Sequence, residues 1–523
     1  MTHRILIAIL SLLLMLPSTA FSVNRKGVGC WRTPRSRQMA ASRMESPQKK
    51  TSEFTHYTGQ KRGLVILAEF TDKKFKAAND REKYENIFNT TGYTTSEGFQ
   101  GSVSDYFHDQ SAEQFELTFD VVGPFTTSRG YSYYGKNDDK GEDMHPEEMI
   151  AEMCQAADSL VNFADYDWDG DGAADEVFVV YAGKGEADTS TENLIWPHMW
   201  SLREADKHLV LDGIRIEVYA CSNELSSNGK IEGIGTFCHE FSHCLGFPDF
   251  YDITYSGAFG MGSFDLMSEG GYQGNGFTPC GYTAYEKMAC GWQQPIVLAD
   301  KDVSISNLKP MSQGGDTYII YNDAHPDEYY LIENRQKSGW DAKYPARGLM
   351  ITHVDFDEEV WMNNIPNSII SNREARELGL TTGNDHQRMK LIHADNDDDS
   401  EYWDADNGYY WKTTENADLY PYQRNDSLTA TSKPAATLYH NNRQGIRLLQ
   451  GAILDITQNA DRTINFNYRS GKPQTADAIN VVQTDLDAPA SIYTLDGRLI
   501  KNKDTKQLKS GFYIRGGKKI VIR

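Results

Sequence analysis

Residues 237–252 read F-C-H-E-F-S-H-C-L-G-F-P-D-F-Y-D, and this segment constrains the chain more than any other. His239 and His243 stand four residues apart. On a helix both imidazoles would therefore face the same way and could bind one metal ion. Glu240 follows the first histidine and could take a proton from metal-activated water without itself being a ligand. The segment therefore predicts a helix that carries a metal site and a base.

The residues that follow the predicted helix complete the metal site. Gly246 can end the helix in a left-handed conformation, after which Asp249 can return as a third ligand. Two neutral imidazoles, one carboxylate and an open position for water are typical of a catalytic zinc site rather than a closed structural one. Two surface histidines on a helix are the simpler alternative, but the glycine and the aspartate at fixed offsets argue against coincidence.

The motif H-E-x-x-H-x-x-G-x-x-D, followed by F-D-L-M-S at residues 264–268, resembles the metzincin clan, in which a methionine turn lies beneath the metal. Within that clan the chain most resembles the immune inhibitor A-like secreted metallopeptidases, which have aspartate as the third ligand. Residues 282–292 and 330–335 are also similar to that family. The resemblance implies a zinc endopeptidase in which Met267 supports the metal site. Glu269 stands where some metzincins have a tyrosine, so no tyrosine is assigned a role.

Residues 165–176 form a second candidate metal site, with alternating carboxylates in a glycine-bearing loop. Such a loop can surround a hard cation with six to eight oxygens. The sequence predicts a structural calcium ion between a helix and a strand, whereas the alternative is a solvated acidic turn. The acidic run at residues 395–401 is a weaker calcium candidate, because such runs are usually solvated loops. The candidate calcium ligands are Asp165, Asp167, Asp169, Asp171 and Glu176.

The formal charge of −22 over 523 residues argues against nucleic acid as a partner, because phosphate binding needs a cationic surface. An aromatic content of 11% excludes a disordered chain. No phosphate-binding loop or dinucleotide fingerprint is present, and no nucleophilic serine or cysteine triad is recognisable. We therefore expect a folded, soluble protein that acts on protein or peptide substrates, and we expect a monomer.

The first residues resemble an export signal. Arg4 precedes an apolar run at residues 5–16 and a stretch of small residues, so residues 1–22 are predicted to be a cleaved signal peptide rather than a buried helix or a membrane anchor. Residues 23–58 are basic and are predicted to be a pro-region or flexible arm. Within them Cys30 could bind the metal in a latent form, or could be an incidental thiol. The other six cysteines could form three disulfides in an oxidising compartment.

The remaining chain divides into four predicted sections, with an α+β fold class overall. Residues 59–309 alternate strand and helix patterns and are predicted to be the metzincin-like catalytic domain. Residues 310–469 are expected to form a β-rich accessory domain, since short strand patterns alternate with polar loops. Residues 470–488 are predicted to be a linker, and residues 489–523 a small all-β module.

The small C-terminal module shows three short strand patterns separated by glycine and lysine turns. It resembles the C-terminal sorting domains of type IX secretion substrates in Bacteroidetes-like bacteria. That resemblance implies recognition by the type IX machinery, passage from the periplasm across the outer membrane of a Gram-negative bacterium, and release or surface attachment. A stabilising β cap and a glycan-binding module are the alternatives.

Three functions fit these residues. The leading hypothesis is a secreted zinc endopeptidase with Glu240 as general base and His239, His243 and Asp249 as zinc ligands. An adhesin or binding protein on a metalloprotease-like scaffold is the second, although a purely structural metal site would not need Glu240. Hydrolysis of a non-protein amide or a glycan-linked peptide would use the same residues in a differently shaped pocket.

Overall fold

The computed structural model describes residues 57–139, 141–189, 191–254, 258–398, 401–404, 409–412 and 415–471, together with four short strands between 492 and 522. The predicted signal peptide, Cys30 and most of the predicted linker lie outside the described residues. The chain divides into two compact units, of which the first ends at Gly471 and the second is Lys472–Arg523.

The first unit begins with the elements that carry the candidate catalytic residues. In chain order these are β1 (Gly59–Glu69), α1 (Arg81–Asn89), α2 (Val103–Gln110), β2 (Phe115–Thr126), α3 (Tyr131–Gly135), α4 (Pro146–Ala157), β3 (Phe178–Lys184), α5 (Glu186–Thr189), β4 (His198–Ser201), β5 (Leu209–Leu211), β6 (Ile214–Ile216), β7 (Val218–Leu225) and α6 (Gly235–Cys244).

The later elements are mostly strands. They are α7 (Ala284–Ala289), β8 (Ile296–Val297), β9 (Val303–Leu308), β10 (Tyr318–Tyr321), β11 (Glu328–Arg335), β12 (Gly348–Asp355), α8 (Glu358–Met362), α9 (Asn372–Glu377), β13 (Met389–Leu391), β14 (Glu401–Asp404), β15 (Tyr409–Lys412), β16 (Ala452–Gln458) and β17 (Ile464–Arg469). The second unit contains β18 (Ile492–Thr494), β19 (Leu499–Ile500), β20 (Gly511–Arg515) and β21 (Lys518–Ile522).

A five-stranded sheet in the order β2-β1-β3-β7-β4 forms the centre of the first part. Its first four strands are parallel, and β4 runs antiparallel to β7 at the edge. The buried run Leu64–Ala68 of β1 is apolar throughout, which is typical of a parallel strand covered on both faces. Alternate residues of this run belong to different hydrophobic clusters: Val65 and Leu67 pack with α6, whereas Leu64 and Ile66 pack with α4.

A second five-stranded sheet, in the order β13-β12-β11-β10-β8, supplies most of the later part of the unit. Strands β10 to β13 are antiparallel, and β8 is parallel to β10. Leu331, Met350 and Leu391 from this sheet belong to the same hydrophobic cluster as Phe237 and Phe241 of α6. Residues 59–309 and 310–469, which are predicted to be separate domains, therefore share a hydrophobic core within one compact unit.

The mixed α+β architecture agrees with the sequence-based expectation. The second unit forms a four-stranded antiparallel sheet in the order β19-β18-β20-β21, and its sorting role stays a prediction. Within the described part of the chain, no helix is long and apolar enough to cross a lipid bilayer.

The expectation of three disulfides is wrong for the cysteines that the structure describes. None of these six, which are Cys154, Cys221, Cys238, Cys244, Cys280 and Cys290, forms a disulfide. All six are buried in the hydrophobic clusters, where a thiol packs as a small apolar group. Burial raises the pKa of the Cys154 thiol to about 12, which disfavours the reactive thiolate.

Candidate metal centre

Helix α6 carries three of the four predicted residues, and all ten of its residues are buried. Its first residue must be glycine, because a Cβ on Gly235 would lie 1.9 Å from the carbonyl oxygen of Gly271. The helix ends before Gly246, which adopts a φ of +99° and donates its N–H to the carbonyl of His243 at 2.8 Å. The chain reverses there, because glycine tolerates a positive φ that other residues avoid.

Both imidazoles are oriented by backbone carbonyls. The Nδ1 atom of His239 lies 2.8 Å from the carbonyl oxygen of Leu266, and Nδ1 of His243 lies 2.7 Å from that of Phe247. A carbonyl only accepts, so each Nδ1 carries a proton and each Nε2 is the nitrogen available to a metal ion. This arrangement is typical of metal-binding histidines.

Asp249 completes the group. Its Oδ1 atom lies 3.1 Å from Nε2 of His239 and 3.4 Å from Nε2 of His243, and all three side chains are fully buried. Two ligands of a tetrahedral zinc ion stand roughly 3.3 Å apart when each is about 2.0–2.1 Å from the metal. Although burial opposes ionisation, the two imidazoles lower the pKa of the Asp249 carboxyl to about 2, so it is a carboxylate. The three residues fit a zinc ion.

Glu240 lies on the same helix turn as the first ligand but outside the group whose atoms converge. Its side chain is fully buried, and neither carboxylate oxygen completes a hydrogen bond within the described residues. Burial first, and the negative charge of Asp249 second, raise the pKa of Glu240 well above its usual value, although the backbone N–H of Met199 favours the ionised form. A carboxyl group with a raised pKa, close to a metal group, suits proton transfer near neutral pH.

Met267 lies in a turn beside the metal group. Its carbonyl accepts the N–H of Phe250 at 2.7 Å, its own N–H is bonded to Asp265 at 2.7 Å, and its side chain is fully buried. The neighbouring carbonyl of Leu266 is the one that orients His239. The turn thus orients His239 directly, and through Phe250 it holds the loop that carries Asp249.

Asn364 supports the third ligand, a role that no motif in the sequence indicates. Its Nδ2 donates to Oδ2 of Asp249 at 2.7 Å, while its Oδ1 accepts the backbone N–H of Asp249 at 2.6 Å. The residue is buried and adopts a φ of +57°, which asparagine tolerates better than most residues. The later section of the unit therefore orients a predicted metal ligand 115 positions earlier in the chain.

We expect Asn364→Gly to weaken metal binding about 10- to 100-fold, because a ligating carboxylate loses its supporting amide. Glycine accepts the positive φ, so the variant tests the two hydrogen bonds rather than backbone strain. Competition with a chromophoric chelator measures the change in the dissociation constant. Asn307→Gly is the matched control, since Asn307 is exposed and has a φ of +56°. Equal dissociation constants for Asn364→Gly and wild type would contradict the role.

Two buried carboxyl groups, Asp265 and Glu286, are neighbours, and Asp265 belongs to the methionine turn. Glu286 Oε2 accepts the N–H of Thr283 at 2.8 Å, and Oδ1 of Asp265 accepts that of Met267. Burial, reinforced by the nearby Glu286 carboxylate, raises the pKa of Asp265 well above its usual value. Between its ordinary and its raised pKa, the Asp265 carboxyl therefore binds more protons in the folded chain than in the unfolded chain.

This proton predicts a pH dependence of stability. Because the folded state binds the extra proton, the free energy of unfolding falls as pH rises above about 4, by up to about 1.4 kcal/mol per unit, until the folded pKa is passed. We expect Asp265→Asn to reduce that fall, since the amide needs no proton to stay neutral. Urea unfolding between about pH 5 and 9 measures both slopes, with the exposed Asp206→Asn as control. Equal slopes in Asp265→Asn and wild type would contradict the assignment.

The acidic loop at residues 165–176 is only partly assembled as predicted. Ligand oxygens of Asp167, Asp169 and Asp175 lie within 4.8 Å of one another. Asp165 instead lies 3.4 Å from the guanidinium of Arg62, and the Asp171 Oδ1 accepts the N–H of Ala173 at 2.8 Å.

Glu176 is not brought into this loop. Its carboxylate is fully buried behind β1, with Oε2 3.4 Å from the backbone nitrogen of Leu64. Burial raises the pKa of Glu176 well above its usual value, whereas a calcium ligand must be ionised. Asp175, which was not among the predicted ligands, faces Asp167 and Asp169 instead of Glu176.

Comparison with known proteins places this geometry in context. Residues 53–294 match the family model described as immune inhibitor A peptidase M6, catalytic domain. The chain is 26% identical over 251 residues to the pre-pro-metalloprotease PrtV of Vibrio cholerae serotype O1, a match covering 42% of this chain and 27% of that protein. It is 24% identical over 266 residues to immune inhibitor A of Bacillus thuringiensis subsp. alesti, covering 43% of this chain and 38% of that protein.

Both findings support a metallopeptidase. The matched range contains the whole of α6 and the turn at Met267 but ends before Asn364. The chain spans between about a quarter and two fifths of the length of these relatives. Residues 53–294, which contain the converging metal group, are the part of the chain that the family model covers.

Proposed function

We propose that this chain is a zinc-dependent endopeptidase of the metzincin-like type that is exported from the cell and hydrolyses protein or peptide bonds. The observation that carries the proposal is the convergence of two imidazole Nε2 atoms and the Oδ1 of Asp249, beside the carboxyl group of Glu240. The match to a metallopeptidase family supports it independently.

His239, His243 and Asp249 would hold the zinc ion. Bound there, zinc would act as a Lewis acid toward the scissile carbonyl and would lower the pKa of water. Glu240 would remove a proton from the water that attacks the carbonyl carbon and pass it to the leaving amine, so that the C–N bond breaks and a C–O bond forms. Its raised pKa suits both steps, because it must accept a proton and then release it.

An extended peptide could pair with strand β4. This strand is at the edge of the five-stranded sheet and packs against α6. Edge strands present unpaired backbone groups that can add a peptide strand. Because the backbone N–H of Met199 in β4 lies near Glu240, a peptide paired there would continue past the site in both directions. This geometry favours cleavage within a chain over removal of a terminal residue.

We propose that this chain is made as a zymogen, with the basic residues 23–58 as the pro-region that is removed. The name of the Vibrio cholerae relative, a pre-pro-metalloprotease, likewise describes a precursor.

Export is also part of the proposal, through the signal peptide at residues 1–22 and the type IX sorting module at residues 489–523. The product would be released, or held at the outer-membrane surface, as a monomer. A structural calcium ion in the acidic loop is proposed with Asp167, Asp169 and Asp175 as its ligands.

The test is cleavage of an unstructured protein by the purified chain, before and after limited trypsin treatment that cuts the basic arm. Zinc content is measured in parallel, and fragments are identified by mass spectrometry. We expect internal cleavage only after trypsin treatment, complete loss with a chelator, and recovery with zinc. Exclusive removal of terminal residues would contradict an endopeptidase. An inert, zinc-loaded, trypsin-treated chain would contradict the protease and favour a binding protein.

A further inference from the structure

A second group of metal-ligating side chains lies away from the metal centre. His393 follows β13, Asp395 stands two residues later, and Asp418 follows a short 3-10 turn at Glu415–Ala417. One ligand atom from each lies within 4.8 Å of the others. The Nδ1 of His393 is 3.0 Å from Oδ1 of Asp418, and the two side chains are 5% and 0% exposed. The group is therefore largely closed to solvent.

The group lacks the hydrogen bonds that a purely structural cluster needs. Neither oxygen of Asp418 has a hydrogen-bond partner among the described residues, and the same holds for Nδ1 of His393. Apart from the 3.0 Å contact with His393, the buried Asp418 carboxylate has no partner among the described residues, and a buried carboxylate is destabilising unless it is paired or binds a metal. Asp395 and Asp397 add negative charge nearby, so burial and these neighbours raise the pKa of Asp418 against the influence of His393.

The same pattern occurs at the candidate metal centre. There, Nε2 of His239 is 3.1 Å from Oδ1 of Asp249, and neither atom makes a hydrogen bond to a described residue. The buried pair His353 and Glu328 differs, because its 3.0 Å contact is a hydrogen bond. An imidazole nitrogen and a carboxylate oxygen at ligand–ligand separation, without a hydrogen bond, therefore occur both at the candidate metal centre and at His393 and Asp418, but not at His353 and Glu328.

We propose that His393, Asp395 and Asp418 bind a second zinc ion. An imidazole nitrogen with carboxylate oxygens suits zinc, whereas calcium and magnesium prefer oxygen ligands alone. The N–H of Asp397 holds one oxygen of Asp395 at 3.0 Å, which fixes the orientation of that carboxylate. The positive ion would compensate the buried negative charge of Asp418.

The second site adjoins the loop that leads to Met267. The ring of His393 lies edge-on to that of Phe259, with centroids 4.5 Å apart. Glu415, in the turn just before Asp418, accepts the N–H of Ser263 at 3.1 Å and its hydroxyl at 3.0 Å. A zinc ion that joins His393 to Asp418 would therefore stabilise the loop that leads to Met267.

Zinc content of the full chain tests the site. The purified protein is stripped with a chelator, reloaded with zinc at micromolar free concentration, and analysed by plasma mass spectrometry. Asp418→Asn and His393→Gln should each hold one zinc fewer per chain than wild type. His353→Gln is the matched control and should equal wild type. His239→Gln should lose a different zinc, so failure of the catalytic proposal would leave the His393 and Asp418 result intact.

Equal zinc content in wild type and both site variants would overturn the second site. Preferential binding of calcium there, at equal free concentrations, would overturn its assignment to zinc. If both variants fail to fold, anomalous diffraction from wild-type crystals at the zinc edge decides the matter. A peak between His393 and Asp418 would support the site, and its absence would overturn it.

Discussion

Glu240→Gln is expected to lower kcat/KM for peptide hydrolysis by about 10³-fold or more, a loss of roughly 4 kcal/mol of transition-state stabilisation, while zinc content stays at the wild-type level. The amide cannot accept the proton of the attacking water. Zinc should remain bound, because the three converging ligand atoms belong to His239, His243 and Asp249. Steady-state kinetics and metal analysis on the same trypsin-treated samples measure both quantities.

The fold should tolerate this substitution unusually well. Burial disfavours the charged form of Glu240, and its two oxygens make no hydrogen bonds within the described residues that a neutral amide would lose. Glu147→Gln is the matched control, since Glu147 is 9% exposed and burial also raises its pKa. A Glu240→Gln variant that keeps wild-type kcat/KM would rule out the general base, and one that loses zinc would place Glu240 among the ligands.

Arg335→Met is expected to lower the free energy of unfolding by about 3–5 kcal/mol. Arg335 is 1% exposed and lies 2.8 Å from Asp341 and 3.2 Å from Glu333. Its guanidinium also donates to the carbonyls of Tyr282 and Gly281. Removing the charge leaves two buried carboxyl groups without their cation. Glu333 is the more sensitive, because burial already raises its pKa to about 7 despite Arg335.

Urea unfolding of the full chain measures this loss. Arg469→Met is the control: its ion pair with Asp302 has the same 2.8 Å distance but is 56% and 22% exposed, so we expect a change below about 1 kcal/mol. Adding Asp341→Asn to Arg335→Met should recover part of the stability. An Arg335→Met variant within about 1 kcal/mol of wild type would show that the buried cluster is not a stabilising link.

The sequence predicted the part of the site that is local in the chain. His239, Glu240 and His243 lie within one turn and a half of α6, so helical spacing alone brings them to one face. Asp249 follows after a reversal that Gly246 permits. Residues this close in sequence can adopt few relative positions, so a short motif is enough to predict that these side chains lie together.

The parts that depend on long-range packing could not be predicted from spacing. Asn364 reaches Asp249 only because the later section packs on the loop after α6. Arg335 likewise contacts Gly281 and Tyr282, which precede it by more than fifty positions. Of the five predicted calcium ligands, only Asp167 and Asp169 lie in the converging group of the acidic loop. The run into β3 turns Glu176 inward and leaves Asp175 facing these two aspartates. Asp418 belongs to no recognisable sequence motif.

The rate at which a reagent modifies each of the six buried thiols would report how often the surrounding structure opens. Each is shielded in the folded state, so a thiol reagent can modify it only when its surroundings open. Cys154 lies in the cluster around α4, whereas Cys238 and Cys244 lie on the helix of the metal centre. The modification rate of Cys154 can be compared with those of Cys238 and Cys244, with and without zinc. The comparison would show on which side of the central sheet bound zinc slows local opening. The described fold also contains no bridge between these cysteines, so reduction alone would leave its packing intact.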